Sequence, residues 1–252
     1  MKKKKLPQET KNRHGISVIM PMFNEEATIL EISNRVLKQK LVKQLIIVDD
    51  CSSDNSWNVA QKLSDSRVLL LRHGENKGKG AAIKTAQPHV SHSITLIQDA
   101  DLEYDPSQYD ELAEPIIAGL ADVVYGSRFQ TGQMRRVLYF WHYLGNKFLT
   151  LLSNAFTNIN ISDMETCYKV FRSELFKKVT LQESRFGVEP EITAKMAALD
   201  ARFYEVSISY FGRTYEEGKK IGAKDGLRAI WCILKYNRYY CLRKQKQRDK
   251  LN

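Results

Sequence analysis

Four short apolar runs recur within the first hundred residues, and segments with helical character separate them. The runs occupy residues 16–20, 45–48, 68–71 and 94–97. Apolar runs of this length, bounded by polar residues, are typical of buried strands. Strands that alternate with helices predict a mainly parallel sheet covered by helices, which places the chain in the α/β class.

The segment between the first two runs carries clear helix signals. Ile29, Ile32 and Val36 fall on one face of a helix. Asn24 has a side chain suited to an N-cap and is expected to begin this helix. Pro21 is expected to end the strand before it, because proline cannot donate a backbone hydrogen bond.

A cluster of polar or glycine residues follows each apolar run. The clusters occupy residues 21–25, 49–54, 74–80 and 99–103. Because the carboxyl ends of parallel strands meet at one edge of a sheet, and ligands bind beyond that edge, the clusters are expected to lie together. The sequence therefore predicts a binding site there.

The last cluster contains two carboxylates, Asp99 and Asp101. Side chains two residues apart point the same way if the extended geometry of the strand continues. Hard divalent cations such as Mg²⁺ and Mn²⁺ prefer oxygen ligands and often also bind phosphate oxygens. The pair therefore indicates a metal–phosphate site, and an acidic turn after a strand is the alternative that the pair alone leaves open.

The cluster at residues 74–80 is rich in glycine and contains Lys77 and Lys79. Its spacing is one residue short of a Walker A loop, and Gly80 stands where that loop needs Ser or Thr. The first run is also not followed by a G-x-G-x-x-G pattern. These differences argue against an ATPase and a dehydrogenase, although glycine amides at the start of a helix can still approach a diphosphate.

Charge and cysteine content narrow the class of partner. The 252-residue chain has a net charge of +10, with basic residues crowded near both ends, so we expect an anionic partner. It carries no recognisable DNA- or RNA-binding motif. The four cysteines form no C-x-x-C pair, which favours reduced thiols in the cytoplasm. Neither a secretory signal nor a membrane span is expected.

Four motifs, in this order and spacing, resemble family 2 glycosyltransferases with the GT-A fold. They occupy residues 18–25, 47–54, 76–82 and 99–101. Within that family they look most like the group that contains dolichyl-phosphate mannose synthases and polyprenyl-phosphate glucosyltransferases. The resemblance implies a three-layer α/β/α, Rossmann-like domain with a mainly parallel sheet.

The resemblance also implies a division of the chain. A basic tail (1–14) precedes the catalytic domain (15–224), and a basic amphipathic helix and tail (225–252) follow it. Apolar residues at helical spacing between 135 and 155 indicate either a core-packing helix or a helix at a membrane surface. The C-terminal helix, expected over 227–242, leaves the same two alternatives open, and peripheral attachment to the cytoplasmic face of a membrane is the implied location.

The resemblance assigns the donor side to a set of residues from all four motifs. The nucleotide sugar would contact Pro21, Phe23, Glu25, Asp50, Lys77, Lys79, Gly80, Asp99 and Ala100. Asp50 would hold the base or ribose. Asp99, Asp101 and Glu103 would be the ligands of Mg²⁺ or Mn²⁺.

The acceptor side is implied by segments in the second half of the chain. A strand expected over 206–211 would lead into a mobile loop that carries an arginine. The acceptor phosphate would be bound by Arg128, Arg136, Arg213 and Lys219. The residues implied in catalysis are Asp101, Arg128, Asp163, Lys169 and Arg213.

The implied reaction is the inverting transfer of a hexose from UDP-glucose or GDP-mannose to a polyprenyl or dolichyl phosphate. Residues 215–220 look more like the glucosyl members of the group. A soluble or glycan hydroxyl acceptor is the alternative, and it would need a carboxylate base such as Asp163 or Glu189. A basic nucleic-acid-binding module is a remoter alternative, and a homo-oligomer is left open.

Overall fold

The structure is a computed structural model that describes residues 14–137, 139–214 and 223–248, with side chains in the last range described for 225–237. Its central element is a seven-stranded sheet. The strands are β1 (Ile16–Met22), β2 (Val42–Asp49), β3 (Val68–Arg72), β4 (Ile94–Ile97), β5 (Val123–Ser127), β6 (Lys169–Arg172) and β7 (Phe203–Ser207).

The strands lie in the order β3-β2-β1-β4-β6-β5-β7 across the sheet. Strands β1, β2, β3 and β4 run parallel to one another, and β7 is parallel to β5. Only β6 runs antiparallel to its two neighbours among these seven strands. The prediction of an α/β fold with a mainly parallel sheet is confirmed. Because β6 is reversed, its first residue Lys169 pairs with Ile97 at the end of β4, and the segment before β6 lies at the predicted site.

Helices connect the strands and cover the sheet. The described helices are α1 (Ile29–Leu37), α2 (Ser56–Ala60), α3 (Lys79–Ala86), α4 (Tyr109–Ile117), α5 (Phe140–Thr157), α6 (Ser173–Phe176), α7 (Val188–Ala198) and α8 (Ala223–Arg248). Helix α1 buries Ile29, Ile32 and Val36 on one face, as the spacing predicts. No helix in the described part of the chain is long and apolar enough to cross a membrane.

The parallel half of the sheet supplies most of the hydrophobic core. Val18, Ile19, Ile46 and Leu96 are fully buried, because strands covered on both faces have no side exposed to water. Full burial of an aliphatic side chain contributes about 1.5–3 kcal/mol. The strands that end at the site therefore form a firm base for the loops that follow them.

The connection from β1 to α1 differs from the prediction. Strand β1 continues through Pro21, which pairs with Val48 of β2. Asn24 does not cap the helix, which begins five residues later at Ile29. The backbone of Asn24 is left-handed, with φ of 53°. The Oδ1 of Asn24 accepts a hydrogen bond from the backbone N–H of Ser53 at 2.9 Å. Asn24 thus joins two site loops, which local sequence could not indicate.

The strand expected over 206–211 begins and ends earlier in the structure. Strand β7 covers Phe203–Ser207, because its register pairs Phe203 with Val123 at the start of β5. Beyond it, Tyr210 leaves the sheet and forms isolated bridges with Tyr104 and Arg135. This departure carries the chain over the carboxyl edge of the sheet toward Arg213.

Helix α8 begins at Ala223, before the expected residue 227, and one of its faces docks on the domain. Cys232 and Tyr236 pack against Ala194 of α7, and the Tyr236 hydroxyl donates to Glu183 at 2.7 Å. On the outer side, Trp231 is exposed. One face therefore docks on the domain, and the other presents apolar side chains to solvent.

Candidate active site

A cavity of about 260 Å³ lies where β1, β2 and β4 end. We call it the carboxylate cavity, because Asp99, Asp101 and Glu103 line it. It gathers the following residues implied by the sequence: Pro21, Phe23, Glu25, Asp50, Lys79, Asp99, Ala100, Asp101, Glu103 and Arg213. The prediction that the polar clusters at the strand ends lie together is therefore confirmed.

Asp50 holds the glycine-rich loop against the end of β2. Its carboxylate accepts hydrogen bonds from the backbone N–H groups of Lys77 at 2.9 Å and Gly78 at 2.6 Å. His73 Nδ1 hydrogen-bonds the same carboxylate at 2.7 Å. Lys77 thus contributes through its backbone. A Cβ added to Gly80 would lie 2.2 Å from the Glu183 carbonyl oxygen, so Gly80 permits close packing and does not line the cavity.

A chain of buried charges runs behind this loop. Lys79 Nζ lies 2.7 Å from Asp99 Oδ1 and 3.0 Å from Glu189 Oε1. Glu189 is also paired with Lys169, which is fully buried. Burial alone would lower the pKa of Lys79, but the charges of Asp99 and Glu189 raise it well above its usual value. Lys169 lies behind the cavity, where it supports Glu189.

Arg213 occupies the opposite side of the carboxylate cavity. Its guanidinium lies 2.8 Å from Asp101 Oδ2, 3.2 Å from Glu103 Oε1 and 3.3 Å from Glu25. Burial, together with repulsion by Asp99 and Glu103, raises the pKa of Asp101 to about 7 despite this partner. A bound divalent cation would stabilise the ionised form of this buried carboxylate.

The donor set fits a hard cation only in part. Within the described residues, no three His, Cys, Asp or Glu side chains are close enough to hold a metal by themselves. Asp99 is paired with Lys79, whereas Asp101 and Glu103 are paired with Arg213. The oxygen ligands suit Mg²⁺ or Mn²⁺, and a diphosphate would have to supply further oxygens.

Arg128 and Asp163 form a bidentate pair at the start of the second half of the site. Arg128 Nε and Nη2 lie 2.7 and 2.8 Å from the two carboxylate oxygens, and the backbone N–H of Arg128 also donates to Asp163 at 3.0 Å. Asp163 is fully buried. The two parallel hydrogen bonds to its carboxylate hold the guanidinium of Arg128 in one orientation. Asp163 is therefore placed to position Arg128.

Two further cavities meet at Arg128. The arginine cavity, of about 360 Å³, is lined by Arg128, Arg135, Arg136 and the aromatic side chains Phe129, Tyr139, Phe140, Tyr143 and Tyr210. The central cavity, of about 440 Å³, shares Arg128 with it and shares Lys79, Asp99 and Glu103 with the carboxylate cavity. The three cavities therefore form a row. Lys219 lies outside the described residues.

Helix α5 presents its apolar side chains to solvent. Trp141 is 75%, Phe148 53% and Leu151 68% exposed, whereas Thr150 and Ser153 are buried. The core-packing alternative is wrong for Trp141, Phe148 and Leu151, whereas Leu152 of the same stripe packs on the core. Contiguous apolar surface of this kind marks an interaction site.

Two site residues were not singled out by the sequence analysis. His73 follows β3 directly, just as Asp50 follows β2. Its position at the end of a strand could therefore have placed it near the predicted site. Glu165 lies between Asp163 and Lys169 and lines the central cavity. Its importance depends on the reversed strand β6, which the sequence pattern did not reveal.

A family comparison bears directly on this geometry. The family model described as Glycosyl transferase family 2 matches residues 17–180. The match spans more than half of the chain and includes the loops after β1, β2, β3 and β4 that line the carboxylate cavity. This protein belongs to glycosyl transferase family 2.

Individual relatives extend this finding. Dolichol-phosphate mannosyltransferase of Pyrococcus furiosus is 28% identical over 228 residues, which are 88% of this chain and 64% of that protein. An enzyme of Methanococcus voltae, UDP-N-acetylglucosamine–dolichyl-phosphate N-acetylglucosaminyltransferase, is 24% identical over 66% of this chain and 73% of its own. The chain thus spans slightly less than two thirds of the Pyrococcus relative.

Solved structures show the same fold. Glucosyl-3-phosphoglycerate synthase of Mycobacterium tuberculosis, in complex with Mn²⁺, UDP and phosphoglyceric acid, superposes with a TM-score of 0.69 at 19% identity and covers 91% of this chain and 80% of its own. The same synthase with Mg²⁺ and UDP gives 0.68 at 20% identity, over 90% and 81%. The likeness confirms the GT-A fold.

Proposed function

We propose that this protein transfers a hexose from a nucleoside-diphosphate sugar to a polyprenyl or dolichyl phosphate, with inversion at the sugar carbon. The observation that carries the proposal is the position of the arginine cavity. It opens beside the exposed apolar face of α5 and connects through the central cavity to the carboxylate cavity. In this arrangement a lipid phosphate would bind in the arginine cavity, and a nucleotide sugar would bind in the carboxylate cavity.

The carboxylate cavity is suited to the donor. Asp50 lies at the cavity wall with the glycine loop, and Phe23 and Pro21 supply apolar surface. Asp99, Asp101 and Glu103 would hold Mg²⁺ or Mn²⁺, which when bound would offset the charge of the leaving diphosphate. Arg213 lies close enough to the same carboxylates to approach the phosphates from the loop side.

The arginine cavity is suited to an anionic acceptor. Arg128 is held in one direction by Asp163, and Arg136 donates to the Gly212 carbonyl oxygen at 3.2 Å. A phosphate oxygen is already a nucleophile near neutral pH, so these residues need only align it and offset repulsion. The two carboxylates considered as bases for a hydroxyl acceptor, Asp163 and Glu189, are both ion-paired, which favours the phosphate acceptor.

The outer surface is suited to the lipid chain. Trp141, Phe148 and Leu151 of α5 are exposed. On α8, exposed Trp231 has the cationic groups of Arg228 and Lys235 within 4.2 and 4.5 Å of its ring. Apolar, aromatic and basic groups together bind the interface of an anionic membrane. The protein would therefore work as a peripheral enzyme on the cytoplasmic face.

The experiment pairs donors with acceptors. UDP-glucose, GDP-mannose and UDP-N-acetylglucosamine are each incubated with farnesyl phosphate or with no acceptor, in Mg²⁺, Mn²⁺ or EDTA. We expect transfer to the lipid from one donor, with UDP-glucose favoured, and loss of transfer in EDTA. Donor hydrolysis without transfer would contradict the lipid acceptor, and no turnover of any donor would contradict the transferase assignment.

A further inference from the structure

The central cavity has a carboxylate that neither half of the proposed reaction uses. Glu165 lies two residues after Asp163, in the segment that the reversed strand β6 brings to the carboxyl edge of β4. It lines the cavity that shares Arg128 with the arginine cavity and Lys79 with the carboxylate cavity. An acceptor that reaches from one side to the other must pass this residue.

Glu165 differs from its carboxylate neighbours in having no ion-pair partner among the described residues. Asp163 is paired with Arg128, and Glu189 is paired with Lys79 and Lys169. Glu165 Oε1 is inaccessible to solvent and has no hydrogen-bond partner in the described part of the chain. A buried carboxylate oxygen without a partner is costly when ionised and much less so when protonated.

The surrounding charges favour the protonated form. Burial and the nearby charge of Glu189 raise the pKa of Glu165 to about 7, against the opposing effects of Lys169 and Arg128, and Asp163 adds repulsion. The other charged or titratable side chains on the cavity wall are Lys79, Asp99, Glu103, Tyr104, His142, Cys167 and Asp225. An entering phosphate would add negative charge and hold the proton more firmly.

We propose that Glu165 is an acceptor-binding residue that stays a neutral carboxylic acid and donates a hydrogen bond to the acceptor phosphate. This inference rests on the proposed function. In the transfer, a phosphate oxygen uses a lone pair to form the bond to the sugar C1, while the bond from C1 to the diphosphate oxygen breaks and its electron pair leaves with the nucleotide. Glu165 keeps its proton throughout, so it differs from a general base.

Acceptor binding by a neutral Glu165 should depend on pH. A phosphate monoester has a second pKa of about 6, so its charge is nearly constant above pH 7. Over the same range Glu165 loses its proton, and the resulting carboxylate would repel the acceptor. Acceptor affinity should therefore fall as pH rises from 7 to 9, and removal of the ionisable group should abolish the fall.

The test measures the dissociation constant of farnesyl phosphate by titration calorimetry between pH 7 and pH 9, with UDP and Mg²⁺ present. Glu165→Gln keeps the size of the side chain and remains neutral. Glu205→Gln is the matched control, because Glu205 is also a partly buried carboxylate with a raised pKa, but it bonds Ser162 outside the three cavities. Inorganic phosphate is titrated in parallel to distinguish a lipid headgroup from a free anion.

We expect the affinity of the wild type for farnesyl phosphate to fall by at least about tenfold from pH 7 to pH 9. The affinity of Glu205→Gln should fall by the same factor, whereas that of Glu165→Gln should change by less than about twofold. Tighter binding of inorganic phosphate than of the lipid would contradict the lipid as the ligand. A Glu165→Gln variant whose affinity follows the wild-type pH profile would overturn the inference alone. So would a variant that loses hexose transfer at every pH in a parallel transfer assay, as removal of a base would cause. If the wild type binds no farnesyl phosphate at any pH, both the proposed function and the inference about Glu165 are wrong.

Discussion

The carboxylate cavity and the arginine cavity flank the same central cavity, but their charges are arranged in opposite ways. In the carboxylate cavity, Asp101 and Glu103 are paired with Arg213 of the same chain. The arginine cavity is lined by three arginines, Arg128, Arg135 and Arg136, and by no carboxylate among the described residues. Carboxylates therefore outnumber cationic groups on the wall of the first cavity, whereas the charged side chains on the wall of the second are arginines.

This difference indicates how each half would recognise its ligand. A diphosphate entering the carboxylate cavity meets acidic groups, so it needs an accompanying cation or a rearrangement of Arg213. A phosphate entering the arginine cavity meets guanidinium groups directly. The two halves should therefore respond differently to removal of charge, to added cations and to a lipid surface.

The largest effect is expected from Asp101→Asn. Loss of one carboxylate removes a ligand for the proposed cation, and transfer should fall by about 10²–10³-fold. Mn²⁺ binding, followed by electron paramagnetic resonance, should weaken in parallel. Asp65→Asn is the control, because Asp65 is paired with Arg67 away from the cavities, and unchanged Mn²⁺ binding in Asp101→Asn would contradict the assignment.

The arginine cavity offers a matched pair of substitutions. Arg128→Gln leaves the fully buried Asp163 without its cation, which should lower the unfolding free energy by about 3–5 kcal/mol as well as reduce transfer. Arg136→Gln removes an exposed guanidinium that donates to the Gly212 carbonyl oxygen, so it should raise the acceptor KM by about tenfold and lower the melting temperature much less than Arg128→Gln. Equal thermal destabilisation by the two variants would contradict the distinction.

The apolar face of α5 should matter only for the lipid side. Trp141→Glu replaces a mostly exposed aromatic ring, whose burial in an interface contributes about 1.5–3 kcal/mol, so sedimentation with phosphatidylglycerol vesicles should weaken about tenfold or more. Leu120→Glu is the control, because Leu120 is 53% exposed at the opposite edge of the sheet. Equal loss of vesicle binding in the two variants would show that general hydrophobicity is responsible.

The smallest effect concerns the competition between Arg213 and a cation. Without nucleotide, Arg213→Gln should raise Mn²⁺ affinity several-fold, because the guanidinium no longer occupies the carboxylates. Nucleotide-dependent turnover should fall at the same time. Arg202→Gln is the control, since Arg202 is paired with Asp122 away from the three cavities. Weaker Mn²⁺ binding in Arg213→Gln would mean that the arginine supports the cation site instead.

The donor half was predictable because its residues follow directly from local pattern. Asp50, Asp99 and Asp101 each come at the end of an apolar run, and parallel strands bring such ends together. Asn24 was misassigned as a cap because its partner Ser53 lies on another loop. Local sequence carries no information about a contact of that kind.

The acceptor half was less predictable because it depends on long-range geometry. The direction of β6 decides that Glu165 faces the central cavity, and that direction has no local signature. For α5, an apolar stripe at helical spacing fits burial and exposure equally well, and only the structure shows Trp141 facing solvent. The resemblance identified Arg128 and Asp163, but only the coordinates show that one positions the other.

One comparison of acceptors tests the central claim most directly. Labelled hexose transfer is measured from the preferred nucleotide sugar to farnesyl phosphate and to farnesol, which share the same chain and differ in the phosphate. Transfer to farnesyl phosphate alone is the result expected if the arginine cavity binds the acceptor through its phosphate. Equal transfer to farnesol would contradict that account and would favour an enzyme that activates a hydroxyl group.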